Sequence, residues 1–125
     1  MVSVTEGQMY VLPVDTVMPL INETRLEKAL QYLSETDEPS AALKADMERT
    51  EYKAKTLKST VFLHHTGTVA EREALSQTDQ SVMDAYMVHF ESIRAYNAMN
   101  NKRQLEFVIV DVFRTLSADR RKGTL

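Results

Sequence analysis

The chain has 125 residues, of which 43% are hydrophobic and 26% charged, and its formal net charge is −3 at pH 7. That length is typical of one domain, and the apolar share is sufficient for a folded core. Because there is no cysteine, disulfides, thiolate metal sites and thiol nucleophiles are excluded. The slightly acidic balance does not favour a general nucleic-acid binder.

The amino-terminal residues differ in character from the rest of the chain. Residues 1–21 are rich in Val and Thr, contain Pro13 and Pro19, and show no helical period. Proline disfavours an inner strand, and no second strand is evident to pair with this one. We therefore predict an extended arm that packs on the helices or on a partner. The stretch lacks the basic start and apolar run of a signal peptide, so a cytoplasmic location is expected.

Two helices are predicted next, separated by a break. A short helix over 23–34 follows Asn22, a suitable N-cap, and carries apolar residues at helical spacing. The segment 36–39 ends in a proline and predicts an interruption. A second helix is predicted over 39–65, with a seam whose steps alternate between four and three residues. Its members are Leu43, Met47, Thr50, Ala54, Leu57, Val61 and His64.

A tight turn is predicted where the second helix ends. Gly67 suits the left-handed conformation that follows many helices. Thr68 and Glu71 have the spacing of a capping box, in which the threonine side chain caps the next helix and the glutamate reaches back. Arg72 beside this turn is interpreted as a structural residue that pairs with nearby acids.

The third predicted helix, over 69–118, contains no glycine or proline. Cap-forming residues at 76–79 and asparagines within 97–101 mark two places where it could be interrupted. Its densest apolar stripe lies between residues 105 and 116. The run 107–113 is also rich in β-branched residues, so a strand there is the main alternative to a helix.

These elements predict an all-α fold, a long antiparallel helical hairpin resembling a coiled coil, with a short N-terminal helix and an extended N-terminal arm. The predicted organisation is an arm over 1–21, a helical domain over 22–118 and a basic tail over 119–125. The third helix is longer than the second, so its distal half should pack on the first helix, on the arm or on another molecule. We therefore expect a homodimer or higher oligomer. The predicted interaction surface comprises Leu105, Ile109, Val112, Phe113 and Leu116.

No pattern for catalysis, metal binding or cofactor binding emerges from the sequence. His64 and His65 are adjacent and point about 100° apart on a helix, and His89 stands alone. With three glycines in the chain there is no phosphate-binding loop, and no nucleophile elbow is present. We expect a protein without catalytic residues, metal, cofactor or small-molecule substrate.

Two further features carry alternative interpretations. Seven methionines, including Met83, Met87 and Met99, are read mainly as core filling, with a methionine-lined partner groove as the alternative. Cations near the carboxyl end either complement the helix dipole or contact phosphates or an acidic partner. These cations are Arg114, Arg120, Arg121 and Lys122.

Two stretches of the chain resemble a known group of proteins. The first runs from Tyr52-Lys53-Ala54-Lys55 to Phe62-Leu63 and continues as Thr66-Gly67-Thr68-Val69-Ala70-Glu71-Arg72-Glu73-Ala74. The second is Phe113-Arg114-Thr115-Leu116-Ser117-Ala118-Asp119-Arg120-Arg121. Together they resemble small helical proteins of tailed phages and prophages, often encoded near replication and recombination genes. The resemblance spans roughly 45–121 and singles out Arg72, Arg114, Arg120 and Arg121.

The resemblance implies a phage protein with a role in DNA metabolism or in takeover of the bacterial host, and it supplies no catalytic residue. The leading hypothesis is an accessory factor of DNA replication or recombination that binds another protein. One alternative is direct DNA binding through the basic carboxyl end. Another is inhibition of a host defence or nuclease complex, in which an acidic protein occupies a basic DNA-binding groove by charge mimicry. The acids of this chain are interleaved with Lys and Arg, which makes it poorly suited to such mimicry.

Overall fold

The protein, described here from a computed structural model over residues 21–123, is all-helical within that range. Helix α1 spans Glu23–His64, helix α2 spans Val69–Thr78 and helix α3 spans Gln80–Arg121. The two long helices have 42 residues each, which corresponds to about 63 Å at 1.5 Å per residue. The predicted arm over 1–21 lies almost wholly outside the described residues.

Helices α1 and α3 pack against each other in opposite directions. Arg25 near the start of α1 forms an ion pair with Glu106 late in α3, at 2.6 Å. Farther along α1, Thr50 contacts His89, which lies early in α3. The prediction of an all-α fold with two long paired helices is therefore confirmed.

The predicted break at residues 36–39 is wrong, because α1 continues through Pro39. The physical reason is an apolar and small-residue seam that keeps its three-and-four alternation across the proline. Pro39 is exposed and lies off this seam, so its ring does not disturb the contact with α3. The seam residues, all buried or half-buried, are Leu26, Ala29, Leu33, Thr36, Ser40, Leu43, Met47, Thr50, Ala54, Leu57 and Val61.

The turn preceding the proline is held by a side chain from α3. Pro39 has no N–H to donate to the carbonyl of Glu35, four residues earlier. Arg103 reaches across from α3 and donates to the carbonyl oxygen of Leu33, at 2.8 Å, and to Oγ1 of Thr36, at 2.5 Å. The guanidinium therefore ties α3 to the turn of α1 that precedes the proline, through charged donors, although it does not bond to the Glu35 carbonyl itself.

A continuous α1 also removes the predicted mismatch in helix length. Because α1 and α3 are equally long, the distal half of α3 packs on the amino-terminal half of α1. Of the three places predicted for the distal half of the third helix, the structure shows the first, because this half packs on the segment predicted as the first helix. The predicted end of the third helix at residue 118 is wrong, since α3 extends to Arg121.

The predicted single helix over 69–118 is interrupted at one of the two expected places. Asp79 has an extended backbone (φ −64°, ψ 130°) and separates α2 from α3. Its Oδ1 accepts from the backbone N–H of Ser81 and of Val82, at 2.9 and 3.2 Å, and also from the Ser81 hydroxyl. By contrast, 97–101 is helical, and the β-prone run 107–113 is helix rather than strand.

The cap at Asp79 should make the stability of the molecule depend on pH. The Ser81 hydroxyl, followed by the Val82 N–H, lowers the pKa of this carboxyl by hydrogen bonding to its charged form. A carboxyl with a lowered folded-state pKa stabilises the fold above its unfolded pKa of about 3.9, and that contribution is lost as pH falls through the folded-state value.

We expect Asp79→Ala to lower the melting temperature at neutral pH, and Asp79→Asn to keep most of the cap because asparagine caps helices comparably well. The Asp79→Asn variant should also lose less stability than the wild type between neutral pH and about pH 3. Thermal unfolding followed by circular dichroism across this range measures both effects. Equal melting temperatures for Asp79→Ala and the wild type would contradict the assignment.

The turn between α1 and α2 lies at residues 65–68, where the sequence predicts it. Thr68 caps α2 as predicted, with its Oγ1 accepting from the N–H of Glu71 at 3.2 Å. Gly67 has φ +121°, and the Glu71 side chain folds back over the position that a β-carbon would occupy. The helix cap itself is His65 with an extended backbone, so the prediction that Gly67 directly follows the cap is wrong.

Candidate interaction surfaces

The interior of the hairpin is thin. Within residues 21–123 the buried apolar side chains are Ala29, Leu33, Ala54 and Val82, and the buried polar ones are Ser76, His89 and Ser92. Many large apolar side chains remain at least 44% exposed instead. Large apolar areas in contact with water commonly mark binding surfaces, so their distribution along the helices matters.

A polar layer divides the seam near its middle. The Thr50 hydroxyl lies 2.8 Å from Oγ of Ser92 and 3.1 Å from Nδ1 of His89. Ser92 also donates to the backbone carbonyl of His89 at 2.6 Å. His89 is therefore a buried residue of the contact between α1 and α3. A buried polar layer of this kind favours the one register in which its members meet.

The first apolar surface is a groove near the turn, which we call the turn-end groove. Met83, Met87 and Phe90 on α3 follow i, i+4, i+7 spacing and are 47%, 59% and 54% exposed. With Tyr86 and Val82 they line an open space of about 310 Å³. A stripe with this spacing is the pattern that an amphipathic partner helix recognises.

A second hollow lies next to the turn-end groove, between α1, α2 and α3. Phe62 and Leu63 contribute apolar surface to this hollow, which shares Tyr86 and Lys58 with the turn-end groove. Nζ of Lys58 lies 3.2 Å from Oε1 of Glu73, so a charge pair bridges α1 to α2 at the rim. The groove thus combines an apolar floor with a rim of paired charges.

Arg72 holds α2 in position beside this groove. Its Nε donates to the carbonyl oxygen of Phe62 at 3.2 Å, which satisfies one of the last carbonyls of α1. Its guanidinium carbon also lies 4.2 Å from the centre of the Phe62 ring, a cation–π contact. Arg72 therefore has a structural role, as the sequence predicts, but through Phe62 rather than through nearby acids.

The second apolar surface lies on the carboxyl-terminal half of α3, and we call it the outer seam. Leu105, Ile109, Val112 and Leu116 repeat with steps of four, three and four residues. The residue after each of them is half-buried and faces α1. Because successive residues of a helix point about 100° apart, the outer seam is rotated by about that angle from the face of α3 that contacts α1. Leu105 is 59% exposed, and the other three are half-buried.

Phe113, the fifth residue of the predicted interaction surface, is placed elsewhere. It lies beside Leu26 and Leu30 of α1 in a shallow groove that also includes Arg114 and Arg121. The structure therefore groups four of the five predicted residues on the outer seam and assigns Phe113 to the contact with α1. The predicted cations Arg114, Arg120, Arg121 and Lys122 are all exposed at the end of the hairpin opposite the turn.

The sequence favours core filling for the methionines and gives a methionine-lined groove as the alternative, and the structure leaves Met83 and Met87 exposed in the turn-end groove. The i, i+4, i+7 spacing of Met83, Met87 and Phe90 is the signal in the sequence that favours a groove over core filling. These side chains are left exposed because the contact with α1 uses Val82 and His89 instead.

Residues 21–123 contain no group of three or more histidine, aspartate or glutamate side chains arranged to hold a metal ion. None of the helices in that range is long and apolar enough to cross a membrane. Comparison of the chain with protein-family models, with curated proteins and with solved structures found no match.

Proposed function

We propose that this chain is a non-enzymatic accessory protein of a tailed phage or prophage that acts in DNA replication or recombination by binding another protein. The observation that carries the proposal is the turn-end groove, where three large apolar side chains at helical spacing are about half exposed. Apolar side chains that the fold leaves uncovered in one stripe are suited to receive the apolar face of a partner helix.

The resemblance to phage proteins involves the same end of the molecule as the turn-end groove. The stretch that resembles phage proteins most closely runs from Thr66 to Ala74 and forms the turn and most of α2. Its Arg72 and Glu73 connect α2 to α1 beside the groove. These residues lie beside the groove without lining it. The proposed partner is a replication or recombination protein in the cytoplasm of the bacterial host.

Affinity capture from infected or lysogenic cells tests the proposal. Phe90→Glu places a charge in the groove and should abolish capture of the partner, because burying an unpaired carboxylate is costly. Val88→Glu is the matched control, since Val88 is 60% exposed on the same helix and does not line the turn-end groove.

The expected result is that mass spectrometry identifies a replication or recombination protein with the wild type and with Val88→Glu, but not with Phe90→Glu. Equal capture by all three chains would show that the groove is not the binding surface. Capture through the groove of a protein unconnected with DNA would contradict the proposed role.

Direct DNA binding is the second candidate, favoured by the clustering of exposed cations at the open end of the hairpin. Arg114 and Arg121 line one groove there, and Arg120 and Lys122 are exposed beside it. Four phosphate contacts to a single strand predict a log–log salt dependence of about −3.

Replacing Arg120, Arg121 and Lys122 with alanine should abolish this binding, as measured by fluorescence anisotropy with a single-stranded oligonucleotide. The Arg94→Ala variant is the control, because Arg94 is exposed on α3 away from the open end. Binding that is absent at low salt, or that is insensitive to salt, would eliminate the candidate.

A further inference from the structure

We infer that the outer seam of α3 is an interface between two copies of this chain, with the two α3 helices antiparallel about a two-fold axis. This inference is independent of the proposed function because it concerns a different surface, in the other half of α3. The argument rests on the spacing of the seam, on its symmetry and on the charges at its ends.

The spacing is that of a helix contact. Leu105, Ile109, Val112 and Leu116 alternate in steps of four and three, as the residues between two supercoiled helices do. α1 packs on the face rotated by about 100°, where Val110 and Phe113 lie, and the stripe keeps Leu105 59% exposed with its other three residues half-buried. A second helix is the natural occupant of a stripe with this period.

The order of residues along the seam suits an antiparallel copy of itself. Two-fold symmetry centred between Val110 and Asp111 places Leu105 opposite Leu116 of the second copy, and Ile109 opposite Val112 of the second copy. Each layer then pairs two branched aliphatic side chains of similar size. No large residue faces a gap, and the same layers repeat on both sides of the axis.

Charge supports the same register. Extending the three-and-four alternation by one step at each end reaches Lys102 and Asp119. In the antiparallel arrangement Lys102 lies opposite Asp119 of the second copy, so both ends of the interface pair opposite charges. A parallel arrangement would instead place Lys102 against Lys102 and Asp119 against Asp119, which is unfavourable.

The first test is the mass of the full chain in solution. Sedimentation should give a mass that rises towards twice 14.3 kDa as the protein concentration increases. Ile109→Glu should leave a monomer with unchanged helix content by circular dichroism, while the exposed control Val88→Glu should still dimerise. A wild-type chain that remains monomeric at every concentration would overturn the inference.

Charge exchange tests the orientation. Lys102→Asp should weaken the dimer at least tenfold, because it places two aspartates opposite each other. Asp119→Lys should do the same by opposing two lysines, and the double variant Lys102→Asp with Asp119→Lys should restore dimerisation. The antiparallel register would be overturned if the double variant failed to dimerise, or if either single variant associated more strongly than the wild type.

Cross-linking tests the register directly, and the chain has no cysteine to interfere. Mixing Leu105→Cys with Leu116→Cys under oxidising conditions should give a disulfide between the two different variants. In the antiparallel dimer the two Leu105 positions lie about 16 Å apart along the helix, too far for a disulfide, so Leu105→Cys alone should not cross-link. Efficient cross-linking of Leu105→Cys with itself would overturn the inference.

Discussion

Replacing Arg103 with alanine should lower the free energy of unfolding by about 3 kcal/mol, because two charge-assisted hydrogen bonds in a largely buried setting are lost together. The Arg103 side chain is only 11% exposed. Its guanidinium donates to the Leu33 carbonyl and the Thr36 hydroxyl, in the turn before Pro39. The ion pair with Asp37 adds little, since that carboxylate is 85% exposed.

Urea unfolding followed by circular dichroism measures this effect. Arg103→Lys keeps the charge but loses the forked donor geometry, so it should recover only part of the stability. Arg94→Ala on the same helix is the control, because Arg94 is 82% exposed and its substitution should change stability by no more than about 0.5 kcal/mol. A loss for Arg103→Ala as small as that of the control would contradict the assigned role.

The same experiment can separate the role of Arg103 from general packing. Pro39→Ala restores a backbone donor to α1 and should itself be stabilising, by up to about 3 kcal/mol. If Arg103 compensates for the proline, Arg103→Ala should cost less in the Pro39→Ala background than in the wild type. Strict additivity of the two substitutions would show that the arginine and the proline act independently.

The second large effect is expected at the polar layer formed by Thr50, His89 and Ser92. His89→Ala should lower the free energy of unfolding by about 2–3 kcal/mol, since it leaves a cavity and removes a hydrogen-bonding partner of Thr50. Replacing all three residues with apolar ones (Thr50→Val, His89→Leu and Ser92→Ala) should instead match or exceed wild-type stability.

The triple variant should differ from the wild type in another respect. With a purely apolar seam, neighbouring registers of α1 against α3 become closer in energy, so broader or duplicated amide signals are expected in NMR spectra. The single variant should keep one set of signals, because Thr50 and Ser92 can still bond to each other. A triple variant with lower stability than His89→Ala would contradict this account of the layer.

Local patterns predicted the turn well. Thr68 as an N-cap and a connection beside Gly67 depend on residues close in sequence, and such signals can be read without the tertiary fold. The interruption at Asp79 was anticipated as one of two weak points. The chain is interrupted at Asp79 because its side chain caps α3, accepting from the N–H groups of Ser81 and Val82. The asparagines within 97–101 form no comparable cap, and that segment is helical.

Prediction from the sequence fails where a local signal and a long-range one disagree. Pro39 by itself predicts a break, since proline usually ends a helix. The seam, however, runs in phase from Leu33 through Thr36 to Leu43, and that continuity indicates one helix. The contact of Arg103 with this turn could not be predicted, because it depends on which part of α3 lies opposite residue 36. Four of the five residues predicted as an interaction surface share the outer seam, while the direction of the fifth, Phe113, is decided by the pairing of α3 with α1.

The turn-end groove and the outer seam occupy opposite halves of α3, and this separation determines how many partners a dimer could engage at once. In the antiparallel dimer inferred above, the two grooves would point to opposite ends of the assembly, roughly 70 Å apart at 1.5 Å per residue. A partner with one binding helix could occupy each groove without steric conflict. A partner with repeated binding helices could occupy both grooves of one dimer, and its avidity would then depend on the spacing of its repeats.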